Sequence, residues 1–161
     1  MSTTMTPKPQ TALRPSRRLL LAAGFIGLAG PALAQPRGLT VYKTPYCGCC
    51  TGWVTHMRKA GFTPTIVEQE NLAPIRAKFG IPDKLASCHT AMVGGYALEG
   101  HVPPADVARL LKARPKGLGL AVPGMPIGSP GMEQPGGARQ RFDTLLVLDR
   151  SGRTKVFASH A

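Results

Sequence analysis

The chain has 161 residues, with 20 Lys and Arg against 8 Asp and Glu, a net charge of +12, and 43% hydrophobic residues. That length suits one domain behind a leader and does not comfortably hold two. The basic residues are scattered, without the aromatic interleaving of a single-strand binder, so nucleic acid is not the natural partner.

The chain opens with a stretch that carries Lys8, Arg14, Arg17 and Arg18 and no acid, followed by an apolar run from Leu19 to Leu33. Ala32-Leu33-Ala34 supplies a small-residue cleavage pattern, which predicts a cleavable export signal over residues 1–34. The run is short and Gly-rich for a membrane span, so no stable membrane insertion is expected after cleavage. Ser16-Arg17-Arg18-Leu19 resembles a twin-arginine signal, but paired arginines also precede ordinary secretory segments, and both routes stay open. Residues 35–161 would then form one domain in the periplasm. The leader takes 4 of the 20 basic residues and none of the 8 acids, leaving +8. A solvated basic surface facing anionic phospholipid accounts for that excess.

Leu39 to Thr44 is a β-branched and aromatic run that predicts a first strand. After Pro45-Tyr46 come Cys47-Gly48-Cys49-Cys50, and from Cys50 to Ala60 the apolar residues Trp53, Val54, Met57 and Ala60 recur at helical spacing up to Gly61. Phe62 to Glu68 predicts a second strand. Asn71 is placed to cap a short helix through Phe79, stopped by Gly80 and Pro82. Thr90 to Val93 and Tyr96 to Leu98, joined by Gly94-Gly95, predict a tight hairpin. Pro103-Pro104 opens a helix to about Ala113, with Val107, Leu110 and Leu111 on one face. Residues 115–141 are rich in glycine and proline and are expected to be loop. A last hairpin is expected from Thr144–Leu148 and Thr154–Phe157.

This order predicts an α/β fold: a thioredoxin-like βαβαββα core with an added C-terminal β-hairpin, and the cysteines after the first strand at a helix N-terminus. That position carries partial positive charge and free N–H groups, which favour thiolate. Where a thioredoxin fold usually has a cis-proline before its third strand, this chain has Ser87-Cys88-His89-Thr90. With Gly94-Gly95 as the turn, Thr90 pairs with Glu99, and Cys88 comes opposite His101 at the end of the hairpin nearest the cysteine loop. Four thiols and one or both of His89 and His101 therefore converge on one surface. His56, about two turns along the helix, reads as a packing or surface residue, and His160 near the C-terminus as disordered.

Four cysteines in an exported chain ordinarily mean two disulfides. Here only Cys47–Cys50 and a long bridge to Cys88 are geometrically easy, because adjacent Cys49 and Cys50 would close a strained ring. Thiolates at Cys-x-Cys and vicinal spacing diverge around a helix and cannot all point at one ion, but they bridge several Cu(I) ions readily. Zinc would more typically use two separated pairs, and an iron–sulfur cluster more widely spread ligands. Copper is the best fit. The repeated Pro-Gly-Met at Met125 and Met132 offers thioethers, also soft donors for Cu(I); the alternative is that both fold back as apolar caps.

Tyr42-Lys-Thr-Pro-Tyr-Cys-Gly-Cys-Cys50, Trp53-Val-Thr-His-Met57, Leu85-Ala-Ser-Cys-His-Thr-Ala91, Glu99-Gly-His-Val-Pro103 and Val122 through Met132 together resemble the CopG-type family of periplasmic copper-resistance proteins. The resemblance implies a thioredoxin-like domain in which Cys47, Cys49, Cys50 and Cys88 bind copper, as a multinuclear cluster or otherwise, in copper resistance and homeostasis. Two functions follow as expectations. One is a periplasmic Cu(I)-binding protein that sequesters copper or relays it to other copper-handling proteins. The other is a thiol or copper oxidoreductase cycling Cys47 and Cys50.

Overall fold

The computed structural model describes Met1 and residues 37–161; apart from Met1, the expected export signal over residues 1–34 lies outside the described residues. Among the described residues the fold is mixed α/β, with a seven-stranded sheet and three α-helices. β1 (Gly38–Lys43), α1 (Gly48–Lys59), β2 (Thr63–Glu68), α2 (Ala73–Phe79), β3 (His89–Val93), β4 (Tyr96–Glu99) and α3 (Pro104–Ala113) follow one another in the order read from the sequence. β5 (Gly119–Ala121), β6 (Phe142–Val147) and β7 (Thr154–His160) complete the sheet in the order β2-β1-β3-β4-β5-β6-β7. β1 is parallel to β2 and β4 to β5, and the other pairs are antiparallel.

Two expectations are corrected. The segment expected to be loop contains β5, which inserts between β4 and β6 and joins the terminal hairpin to the sheet. Its sequence, Gly-Leu-Ala, has neither the length nor the β-branched residues that announce a strand. His160 is not disordered: it ends β7 opposite Phe142, its Nε2 lies 2.9 Å from Asp106 Oδ2 and 3.1 Å from Thr144 Oγ1, and its ring stacks on Phe142.

Strand alternation divides the core between the two faces. Val41, Ala91, Val93, Leu98, Leu120 and Leu146 face α1 and α3, where Trp53, Met57, Val107, Leu110 and Leu111 are all buried. Ala97, Ala121 and Val147 face the opposite way and pack with Ile81, Leu85 and Phe79. The Gly94-Gly95 turn has positive φ at both glycines, and the register pairs Val93 with Tyr96 and Thr90 with Glu99, as the sequence predicted. Because β3 runs antiparallel to β1 and β4 antiparallel to β3, the end of β1, the start of β3 and the end of β4 meet at one edge of the molecule. β5, parallel to β4, brings Val122-Pro123-Gly124 to the same edge. Among the described residues no helix is long and apolar enough to cross a membrane.

Candidate metal centre

That edge carries the cysteines. β1 stops at Lys43, whose buried ammonium donates to the carbonyls of Thr44 (2.8 Å) and Pro45 (3.4 Å) and so holds the turn that follows. Cys47 is the N-cap of α1, and its sulfur accepts from Cys50 N–H at 3.3 Å. The first turn of α1 has no acid, which leaves its positive end to the sulfurs. Cys47 and Cys50 are joined as a disulfide with Cα atoms 5.3 Å apart; Cys49 and Cys88 are free. Cys49 Sγ lies 3.5 Å from Cys47 Sγ and 3.7 Å from Cys88 Sγ, and Cys50 Sγ sits 3.4 Å from the carbonyl oxygen of Cys88. The four sulfurs all fall within 4.8 Å of one another.

Cys88 precedes β3, and the hairpin register brings it to His101, with Sγ and Nε2 separated by 2.9 Å. His101 Nδ1 is 2.8 Å from the carbonyl of Pro130. A carbonyl only accepts, so Nδ1 carries the proton and Nε2 presents a lone pair to the thiol. His89 is fully buried; its Nδ1 lies 3.6 Å from Cys88 Sγ, its ring packs 4.4 Å from Trp53 and edge-on to His101 at 5.1 Å. His89 Nε2 has no hydrogen-bond partner among the described residues.

Burial, then the neighbouring Cys49, push the Cys88 thiol up to about 12. Burial and then His101 push His89 down to about 3, and burial lowers His101 as well. Without metal the Cys88–His89–His101 group is therefore uncharged at pH 7: a thiol donating to an imidazole beside a second neutral imidazole. Any cation bound here displaces the thiol proton and meets donors already stripped of water.

The two Pro-Gly-Met segments take their places through backbone as much as side chain. Ser87 Oγ donates to the carbonyl of Gly124, and Gly124 N–H donates to Ala86 at 3.2 Å, so the first segment fixes the approach to Cys88. The second supplies Pro130 to His101 and passes so close to α1 that a Cβ on Gly131 would stand 2.5 Å from both Cys49 O and Trp53 N. Met125 is half exposed on a surface groove with Val122, Arg141 and Phe142, and Met132 is half-buried. His56, one turn beyond Gly52 on the same face of α1 that Gly131 approaches, pairs with Glu133 at 2.7 Å and anchors the same loop.

One residue that sequence reasoning passed over holds the site together. Glu99 is fully buried; Oε1 accepts from Ser87 N–H and Oε2 from Thr90 Oγ1, each at 2.7 Å, so its carboxyl spans Cys88 and His89. A single acid closing an otherwise apolar strand, Tyr96-Ala-Leu-Glu99, was the available signal. Burial raises its pKa from the ordinary 4.5 to about 7, against the hydrogen bonds from Thr90 and Ser87. Between those values the folded state holds a proton that the unfolded state releases. Stability therefore falls as pH rises through that window, by about 3 kcal/mol at 1.36 kcal/mol per unit. Glu99→Gln keeps the shape without the charge, and its urea midpoint is expected to change less between pH 5 and pH 8 than that of the parent. Equal pH slopes in the two proteins would remove Glu99 from this account.

Residues 85–132, which include Cys88, both histidines and both Pro-Gly-Met segments, match a family model described as a protein of unknown function, DUF411. Comparison with curated proteins finds no match. Two solved structures, both of copper resistance protein CopG (form 1 and form 2), are 38% and 37% identical to this chain, each with a TM-score of 0.72. Each match covers 78% of this chain and 98% or 99% of the other.

Proposed function

The chain belongs to the CopG family of copper resistance proteins, and from that premise we propose that it holds copper as Cu(I) through Cys47, Cys49, Cys50 and Cys88. The observation that carries this reading is the convergence of four sulfurs within 4.8 Å. The donor set is soft, which suits Cu(I) over hard cations. Reduction of the Cys47–Cys50 bond by two electrons frees all four. Four thiolates around one Cu(I) would leave a net charge of −3 beside a buried wall, whereas several bridging ions bring the group toward neutrality, so a multinuclear cluster is favoured. Copper is here the cargo. The imidazoles of His89 and His101 and the thioethers of Met125 and Met132 stand outside the sulfur set as auxiliary donors.

The same proposal places residues 35–161 in the periplasm as one thioredoxin-like domain, exported behind a signal over residues 1–34. A redox scaffold suits the role, because the Cys47–Cys50 pair opens and closes part of the site. That bond also supports a second reading, an oxidoreductase in which Cys47 and Cys50 cycle between dithiol and disulfide.

Anaerobic titration of the reduced protein with Cu(I), read by native mass spectrometry, separates the two. Several Cu(I) per chain is the expected result. No tight copper binding, together with rapid reduction of insulin disulfides that survives Cys49→Ser, would sink the copper reading and leave the enzyme.

A further inference from the structure

The donor atoms at this edge form two groups rather than one. Cys47, Cys49, Cys50 and Cys88 make the first; Cys88 with one ring nitrogen each of His89 and His101 makes the second, and the only member in common is Cys88. Closing the Cys47–Cys50 disulfide removes two donors from the first group and none from the second. The second group is intact in the structure as it stands.

We propose that Cys88 Sγ, His89 Nδ1 and His101 Nε2 form a separate single-ion Cu(I) subsite that persists when Cys47 and Cys50 are oxidised. The protein then has two copper capacities, several ions when reduced and one when oxidised. This rests on the reading of the chain as a Cu(I) binder and adds a second place and a second state to it.

Geometry supports the subsite. Metal–sulfur and metal–nitrogen bonds of about 2.3 and 2.0–2.1 Å at a tetrahedral angle put the two donors about 3.6 Å apart. Cys88 Sγ and His89 Nδ1 already stand at 3.6 Å, and Cys88 Sγ and His101 Nε2 at 2.9 Å, the length of a hydrogen bond that opens once an ion takes the place of its proton. His101 is aimed by the Pro130 carbonyl, the outer-shell contact by which metal-binding histidines are commonly oriented. His89 is wedged between Trp53 and His101, with Trp53 held in turn by its indole N–H on the Val102 carbonyl at 2.8 Å.

Charge points the same way. One Cu(I) with one thiolate and two neutral imidazoles is uncharged, so it can sit against the apolar wall of Trp53 and Val102. The sulfur group reaches neutrality only with several ions. Passage between the states is a dithiol–disulfide exchange: a partner dithiol reduces the Cys47–Cys50 bond, gives up two electrons and two protons, and leaves as its own disulfide. In reverse, a partner disulfide takes two electrons from Cys47 and Cys50 and becomes a dithiol, and the copper these sulfurs held is set free.

The test titrates two preparations of the full domain with Cu(I) under nitrogen. One is fully reduced; in the other the Cys47–Cys50 disulfide is closed, verified on a separate denatured aliquot in which only Cys49 and Cys88 react with an alkylating agent before reduction. One ion per oxidised chain is expected, lost on His101→Ala and on His89→Phe and kept in Cys49→Ser. Should a histidine variant fail to fold, copper-edge X-ray absorption of the oxidised parent decides instead. Nitrogen together with sulfur in the first shell is expected, and a sulfur-only shell would overturn the proposal. No ion in the oxidised chain, or one that needs Cys49 and ignores His101, would also overturn it. Failure of the reduced chain to take more than one ion refutes the four-sulfur reading and leaves the subsite standing.

Discussion

Gly119→Ala is expected to lower stability by more than about 4 kcal/mol, a range that single substitutions reach only through severe packing or backbone conflict. Gly119 begins β5 and stands directly opposite Ala97 of β4 in the parallel register. A Cβ there would run into the Ala97 carbonyl and backbone, neither of which can move without breaking the pair. The conflict cannot be relieved at a side chain, because Leu118 O accepts from Ala97 N–H at 2.9 Å and Leu118 N–H donates to Val147 at 2.7 Å, so the strand is pinned on both edges. Losing β5 separates β6 and β7 from the sheet and frees Val122-Pro123-Gly124 from the Ser87 side of the cysteine edge. Gly38→Ala is the control: an added Cβ meets nothing within 4 Å, and a change within about 0.5 kcal/mol is expected. Urea midpoints of the two variants check the pair, and similar values for both would show that β5 is dispensable.

β5 also marks where sequence reading fails. α1, the Gly94-Gly95 hairpin and α3 were legible because side chains carry their periods: Trp53, Val54 and Met57 in one, Val107, Leu110 and Leu111 in the other. Simple register arithmetic placed Cys88 against His101, and the structure puts them 2.9 Å apart. β5 has no such signature, since its need for glycine at Gly119 comes from the backbone of another strand. The same holds for the Pro130 carbonyl that orients His101 and for the Gly124 carbonyl that holds Ser87. The sequence showed a repeated Pro-Gly-Met, and its methionines drew attention as soft donors. The residues before each methionine are the ones that touch the site, through main-chain oxygen and through the close pass of Gly131. His160 was misread for a related reason: the penultimate position says nothing about the partner Asp106 waiting on α3.

Cys88→Ser is expected to have the largest effect on copper, because Cys88 alone belongs to both donor groups. Loss of an outer-shell partner commonly costs 10–100-fold in metal affinity, and loss of a shared inner sulfur should cost at least about 100-fold in each redox state. Stability should move little. In the metal-free protein the thiol, with its pKa pushed up to about 12, is a neutral donor to His101 Nε2. A serine hydroxyl is a smaller and better donor to the same nitrogen, so the hydrogen bond survives the substitution. A hard oxygen cannot replace a thiolate toward Cu(I), however, and the two properties come apart. Cys49→Ser provides the contrast, since Cys49 belongs to the sulfur group only: it should lower the capacity of the reduced protein and leave the oxidised protein with its one ion. Native mass spectrometry of both variants in both redox states reads all four numbers. If Cys88→Ser kept the full count in the reduced and the oxidised protein, neither donor group as drawn would be the copper site.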